Sequence, residues 1–194
     1  MIPVKFTDNN PNRLYKSICY CSGAMDRVSW GEATGWREMI KPILFDMNIG
    51  VIDPCDKPGC LSEDLNFRTK KEELANDRDF NGLHECMKPV VNEDMRFVDL
   101  AHFLIFYLDT EAHMCGSYME SCHAAAYQKK PVLTVIKGGR EKIPHWWAGI
   151  NPPQFNFDDW ESLIAYLKHV NSAYKVDDHN RWRFMDMKKL YNES

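Results

Sequence analysis

At 194 residues the chain corresponds to about one domain with extensions, taking roughly 150 residues per domain. Its 44% hydrophobic and 27% charged content is an ordinary globular mix and excludes a largely disordered or fibrous chain. With 24 Lys+Arg against 28 Asp+Glu, the net charge of -4 argues against a protein built mainly to hold duplex nucleic acid.

The apolar runs, such as residues 103–108, are far shorter than the roughly 20 residues of a membrane span. The N-terminal residues have no signal-peptide apolar region, so a cytoplasmic location is expected. The cysteines are seven, an odd number at irregular spacing with no C-x2-C pair, and are read as reduced thiols rather than disulfides or zinc ligands.

In chain order, residues 17–21 form a short apolar run ending at Ser22-Gly23, which reads as a buried strand entering a loop. Residues 34–47 carry apolar side chains at a 3.6-residue period, with Thr34 as N-cap and Pro42 expected to kink or break the helix. Residues 50–53 give a second strand, closed by Pro54 and a polar segment running to Asn66. A charged, solvated helix follows over 67–79. Another covers 83–100, with Met87, Val90, Val91, Met95, Phe97, Val98 and Leu100 turned inward.

Residues 102–108 are the best candidate for a central parallel strand. The small-residue stretch 116–128 reads as a helix, and 131–136 as another buried strand. Trp146-Trp147 are expected to form a packed lid or a subunit contact. Residues 155–157 suit a short edge strand and 158–170 a last amphipathic helix. Strands alternating with helices specify an α/β fold, a single-domain three-layer sandwich on a roughly five-stranded parallel sheet of Rossmann or flavodoxin type. The domain is drawn at 1–170. Residues 171–194 form a C-terminal extension whose Trp182, Phe184, Met185, Met187, Leu190 and Tyr191 should pack on the domain or on a neighbouring subunit.

Ligands of such sheets bind beyond the carboxyl ends of the strands, where strand order reverses. Two segments have that placement: Tyr20-Cys21-Ser22-Gly23-Ala24-Met25-Asp26, after the first strand, and Gly116-Ser117-Tyr118-Met119-Glu120, after the central one. Gly116 and Ser117 at a helix start offer backbone N–H groups to a phosphate or hydroxyl. Glu120 is expected in the first helical turn, where it is either a reactive carboxylate or a stabiliser of the helix N-terminus. Trp36 is a candidate base-stacking residue whose alternative place is the apolar face of its helix. Arg27 is a candidate phosphate contact or a solvated loop charge. His102, His113 and His123 form no triad with Cys115 or Cys122.

These segments resemble the nucleoside 2-deoxyribosyltransferase-like superfamily, which includes deoxynucleoside monophosphate N-hydrolases. That family has a first strand ending in Tyr-x-Ala/Ser-Gly, then a central strand, a Gly-Thr/Ser-x-x-Glu turn and a Lys-Pro-Val strand. Here Tyr20-Cys21-Ser22-Gly23, Gly116-Ser117-Tyr118-Met119-Glu120 and Lys130-Pro131-Val132 stand in those places. The resemblance implies Glu120 as nucleophile, Tyr20 as the residue orienting it, and Asp94, with Asp99 as fallback, as acid/base toward the departing nucleobase. Ser22, Gly23, Ala24, Met25, Asp26, Trp36, Gly116 and Ser117 are then the candidate substrate-binding residues. His102 stands where an acidic residue commonly begins the central strand, and His113-Met114 where Asp or Ser often precedes the Gly turn. Nucleoside and nucleotide therefore both remain open.

The implied activity is cleavage of the N-glycosidic bond of a 2′-deoxynucleoside or its 5′-monophosphate through a glycosyl-glutamate intermediate. The deoxyribosyl group then passes to another nucleobase. Water as acceptor would make the protein a hydrolase. A non-catalytic nucleotide sensor and an enzyme acting on a ribosyl dinucleotide are the alternatives. The partners are a small nucleoside or nucleotide and a free base, in a homo-oligomer, with no metal or organic cofactor, nucleic acid or membrane. Glu120 is expected to stay ionised beside the helix N-terminus and the Tyr20 hydroxyl.

Overall fold

The computed structural model describes residues 12–56, 65–172, 177 and 179–185. Five parallel strands, β1 (Ile18–Gly23), β2 (Gly50–Ile52), β3 (Phe103–Leu108), β4 (Val132–Ile136) and β5 (Asn156–Phe157), form one sheet in the order β2-β1-β3-β4-β5. Chain order reverses between β1 and β3, with Ser22 opposite Phe106 and Gly23 opposite Tyr107. The protein is a single-domain α/β three-layer fold. No helix among the described residues is long and apolar enough to cross a membrane.

Period-two alternation divides the strand residues between two cores. Cys19, Cys21, Phe103, Ile105, Leu133 and Val135 face α1 (Trp30–Asp46) and α6 (Trp160–Ser172). Tyr20, Leu104, Phe106, Leu108 and Val132 face the other layer, built from α3 (Phe80–Leu100), α4 (Cys115–Cys122) and α5 (His145–Ile150). A charged helix, α2 (Leu65–Asn76), precedes α3. Tyr20 and Ser22 therefore point toward α3 and α4.

Helix α1 begins four residues before Thr34. Ser29 Oγ accepts from the Glu32 N–H at 3.2 Å while Glu32 Oε2 accepts from the Ser29 N–H at 2.9 Å, a reciprocal cap that fixes the start. Thr34 instead donates its hydroxyl to the Trp30 carbonyl one turn back. The expected break at Pro42 does not occur. Pro42 and Glu38 are both exposed, so the carbonyl that loses its helical partner faces water.

Helix α3 likewise begins early, at Phe80, because the Asp79 carboxylate accepts from the Gly82 N–H at 2.9 Å. It also runs through Pro89. Its expected inward face holds only in part: Val98 is buried, but Val91 and Leu100 are exposed. Beyond α4, residues His123–Tyr127 widen into a π-turn closed by the Gln128 N–H on the His123 carbonyl at 3.1 Å, not the regular helix expected to 128.

Trp147 is no lid. It is buried, its ring edge meets Phe106 and its N–H reaches Thr134 Oγ1 at 3.2 Å, whereas Trp146 is exposed. In the C-terminal segment, Trp182 and Met185 enter the α1/α6 core. Met187, Leu190 and Tyr191 lie outside the described residues. The six cysteines among the described residues are free thiols.

Candidate active site

At the reversal of strand order, the end of β1 meets the start of α4. Glu120 lies in the second turn of α4, whose first residue is Cys115, rather than the expected first turn, so it does not serve the helix N-terminus. It reaches back over the sheet. Tyr20 Oη donates to Glu120 Oε1 at 3.0 Å and Ser22 Oγ donates to Oε2 at 2.6 Å. Ser121 Oγ supports Ser22 from behind at 3.4 Å. Each carboxylate oxygen keeps lone-pair capacity for a further partner.

This carboxylate sits at the floor of a cavity of about 350 Å³, within the usual range of small-molecule pockets. Asp94 of α3 lines the same cavity. Its walls are strongly apolar, with Met87, Val90 and Met95 of α3, Phe67 of α2, Met25 and Trp30 among the contributors. The spacing of Met87, Val90, Asp94 and Met95 is that of one helical face, so the apolar stripe of α3 serves the cavity as well as the core. At the rim, Lys71 Nζ pairs with Asp26 at 3.1 Å and lies over the Phe67 ring.

Burial pushes the Glu120 carboxyl up from 4.5 to about 7, and the nearby Asp94 charge adds to the rise. The Ser22 and Tyr20 hydrogen bonds and the Arg37 charge oppose it. Glu120 is thus poised near neutrality rather than firmly ionised, which corrects the expectation drawn from a helix N-terminus. Tyr20 is held well above its ordinary value, first by burial and then by the Glu120 and Asp94 charges, so its phenol stays protonated and donates. Removing the shorter bond by Ser22→Ala should raise the Glu120 midpoint above 7 by about one to two pH units, since a hydrogen bond to a charged group contributes about 1.5–3 kcal/mol. Carboxyl-carbon NMR titration reads this directly, and an unmoved midpoint would show that Ser22 does not hold the ionised form.

The other expected site residues divide. Gly23, Met25, Asp26, Gly116 and Ser117 line the cavity together with Glu120. A Cβ on Gly116 would meet nothing within 4 Å, so this glycine leaves open space toward the cavity. Gly23 has a packing reason instead, because a Cβ there would lie 2.9 Å from the Trp36 ring. Ala24 and Trp36 line a separate cavity of about 240 Å³ on the α1 side.

Trp36 does not reach the Glu120 cavity. Helical spacing puts Ala33, Trp36, Arg37, Ile40 and Leu44 on the buried face of α1, and Trp36 stacks on Trp160 at 5.4 Å and 20°. Asp99, the fallback acid, lies elsewhere too, accepting from Gln128 and sitting 3.4 Å from His123 Nε2. Arg27 is exposed and does not line the cavity. His102 accepts from the Ile18 N–H at 3.0 Å and so joins β1 to the start of β3.

Sequence reasoning missed the buried pair of Arg37 Nε and Asp53 Oδ1, 3.2 Å apart, and the Lys41 Nζ contact to Asp53 Oδ2 at 2.6 Å. Their partnership depends on β2 lying beside β1, which no local pattern states. Among the described residues no group of three or more His, Cys, Asp or Glu is placed to hold a metal ion. Comparison with protein-family models and with curated proteins finds no match to this chain.

Proposed function

We propose that the protein cleaves the N-glycosidic bond of a 2′-deoxynucleoside or its 5′-monophosphate and transfers the deoxyribosyl group to another nucleobase. One observation carries this reading. A half-buried, hydroxyl-cradled Glu120 carboxylate and a second carboxyl, Asp94, line one apolar-walled cavity at the strand-order reversal. Breaking such a bond develops positive charge at C1′ and negative charge on the departing base, which a carboxylate and a carboxylic acid respectively answer. The motif resemblance assigns the same two residues, and the apolar walls suit a planar base.

In the proposed reaction a Glu120 carboxylate oxygen attacks C1′. The C1′–N bond breaks, and its electron pair goes to the base nitrogen, which takes a proton from the Asp94 carboxyl. A second base then attacks C1′ through nitrogen, giving up its proton to Asp94. The C1′–O bond breaks and its electron pair returns to Glu120. Water in place of the second base yields free deoxyribose from a nucleoside, or deoxyribose 5-phosphate from a monophosphate, and makes the protein a hydrolase.

Incubation with a 2′-fluoro-2′-deoxynucleoside, or its monophosphate, should trap the first half-reaction, because fluorine destabilises the positive charge that forms as the intermediate breaks down. Peptide mass spectrometry should then find a fluorodeoxyribosyl adduct on the peptide carrying Glu120, together with released base. Base release without an adduct, or an adduct on another residue, overturns the nucleophile. No base release from any deoxynucleoside or deoxynucleotide overturns the activity.

A further inference from the structure

The guanidinium of Arg37 is fully buried on the α1 side of the sheet, the side opposite Glu120. Strand β2 pairs with β1 only as far as Tyr20 opposite Ile52, whereas β3 accompanies β1 to Gly23. The last residues of β1 thus run past the end of β2. There Arg37 takes over from the missing strand. Its Nη2 donates to the Cys21 carbonyl at 3.3 Å and to the Gly23 carbonyl at 3.1 Å, and its Nε lies 3.4 Å from the Cys21 carbonyl.

Ser22 stands between those two carbonyls and sends its hydroxyl to the other face, onto Glu120. Asp53, just after β2, anchors the fork through Nε. Nη1 donates to the Ala33 carbonyl, and the guanidinium lies over the Trp36 ring at 4.5 Å. A fully buried ion pair is weak evidence for stability, since apolar residues of similar volume often serve as well. What an apolar residue cannot do is grip two backbone carbonyls that flank one hydroxyl.

We infer that Arg37 is a positioning residue for Glu120, acting through Ser22 by fixing the backbone on both sides of it. Its kinetic consequence rests on the reading of Glu120 as nucleophile, but its structural consequence does not. The planar fork matters more than the charge, and the Arg37 charge also helps to hold the Glu120 carboxyl down.

Arg37→Lys separates the two, because lysine keeps a cation beside Asp53 and loses the bidentate grip. With folding verified by near-UV circular dichroism, the Glu120 midpoint should move upward by about half a pH unit or more, as expected for a loosened Ser22 bond. The same substitution made in a Ser22→Ala background should move it far less, the two effects being non-additive when one acts through the other. In turnover, kcat should fall about tenfold at pH 7 with KM little changed and recover in part at higher pH. Arg37→Gln replaces the lysine variant should that fail to fold.

An unmoved midpoint in the folded variant overturns the inference, as does an equal shift with and without Ser22. Absence of any base release by the unmodified protein overturns the proposed reaction instead. The carboxyl titration still decides the role of Arg37 in that case.

Discussion

Glu120→Gln is expected to abolish base release and, at the same time, to make the protein more stable above neutral pH. Loss of a covalent nucleophile should lower turnover by at least about a thousandfold. The stability effect follows from the rise of this carboxyl from 4.5 to about 7 on folding. A carboxylic acid whose folded value lies above its unfolded one binds its proton more tightly in the native state. Its contribution is therefore most favourable below pH 4.5 and declines as pH rises from 4.5 through 7, where the native state must accept a buried charge.

The full interval corresponds to roughly 3 kcal/mol, less whatever water in the cavity recovers, because the side chain is partly open to it. Glutamine has the same shape and no charge. Its Oε1 can accept from Tyr20 and its amide can donate to Ser22, so the cradle remains satisfied. Denaturant titrations should find the two proteins equally stable near pH 4, with the variant gaining about 1–3 kcal/mol by pH 8.5. Equal stability at both pH values would mean that Glu120 is not the desolvated acid the geometry makes it. In the unmodified protein the same group predicts an acid limb in kcat/KM, falling about tenfold per pH unit below pH 7. That limb should shift upward in Ser22→Ala.

Much of the sheet is legible in the sequence because strand alternation and chain punctuation are local. Short apolar runs at 17–21, 102–108 and 131–136 are separated by helical periods, and that pattern alone leads to parallel strands. Helix starts were also open to view but misplaced. Ser29 and Glu32 form an S-x-x-E signature, yet the apolar period over 34–47 points to Thr34 as the boundary; of the two readings that period leaves for Trp36, the structure selects the apolar face of the helix. Pro42 and Pro89 broke neither helix, because exposure of the orphaned carbonyl is a tertiary circumstance.

For the site, chain punctuation places the β1 segment and the start of α4 beside the strand-order reversal, while the pairing of Tyr20 with Glu120 comes from the motif resemblance. Two things escape both. The ionisation of Glu120 depends on how many atoms surround it, which no motif encodes, and the clamp of Arg37 on Cys21 and Gly23 depends on β2 stopping short of them. Both are products of packing over distance.

Trp182→Ala tests whether the C-terminal segment is part of the domain. Trp182 is fully buried; its ring lies 5.4 Å from Phe103 at the start of β3, and its N–H donates to Tyr166 Oη of α6 at 2.9 Å. Phe155 and Phe184 complete the enclosure. Burial also raises the Tyr166 phenol to about 12, so it remains a neutral acceptor across the working range. Truncating a fully enclosed tryptophan costs about 3–5 kcal/mol, which for a chain of this size lowers Tm by roughly 10 °C or more.

Trp182→Phe should lose only about 1 kcal/mol for the N–H bond plus a small packing term. Because the ring packs within its own chain, the loss in Trp182→Ala should be the same at low and high protein concentration. A loss that grows on dilution would assign the segment to a neighbouring subunit instead. Trp182 and Arg37 both act on the α1/α6 side of the sheet, but only Arg37 touches the carbonyls beside Ser22. Trp182→Ala should therefore lower stability without moving the ionisation midpoint of Glu120, which separates a general weakening of the core from a loss of grip on the carboxylate.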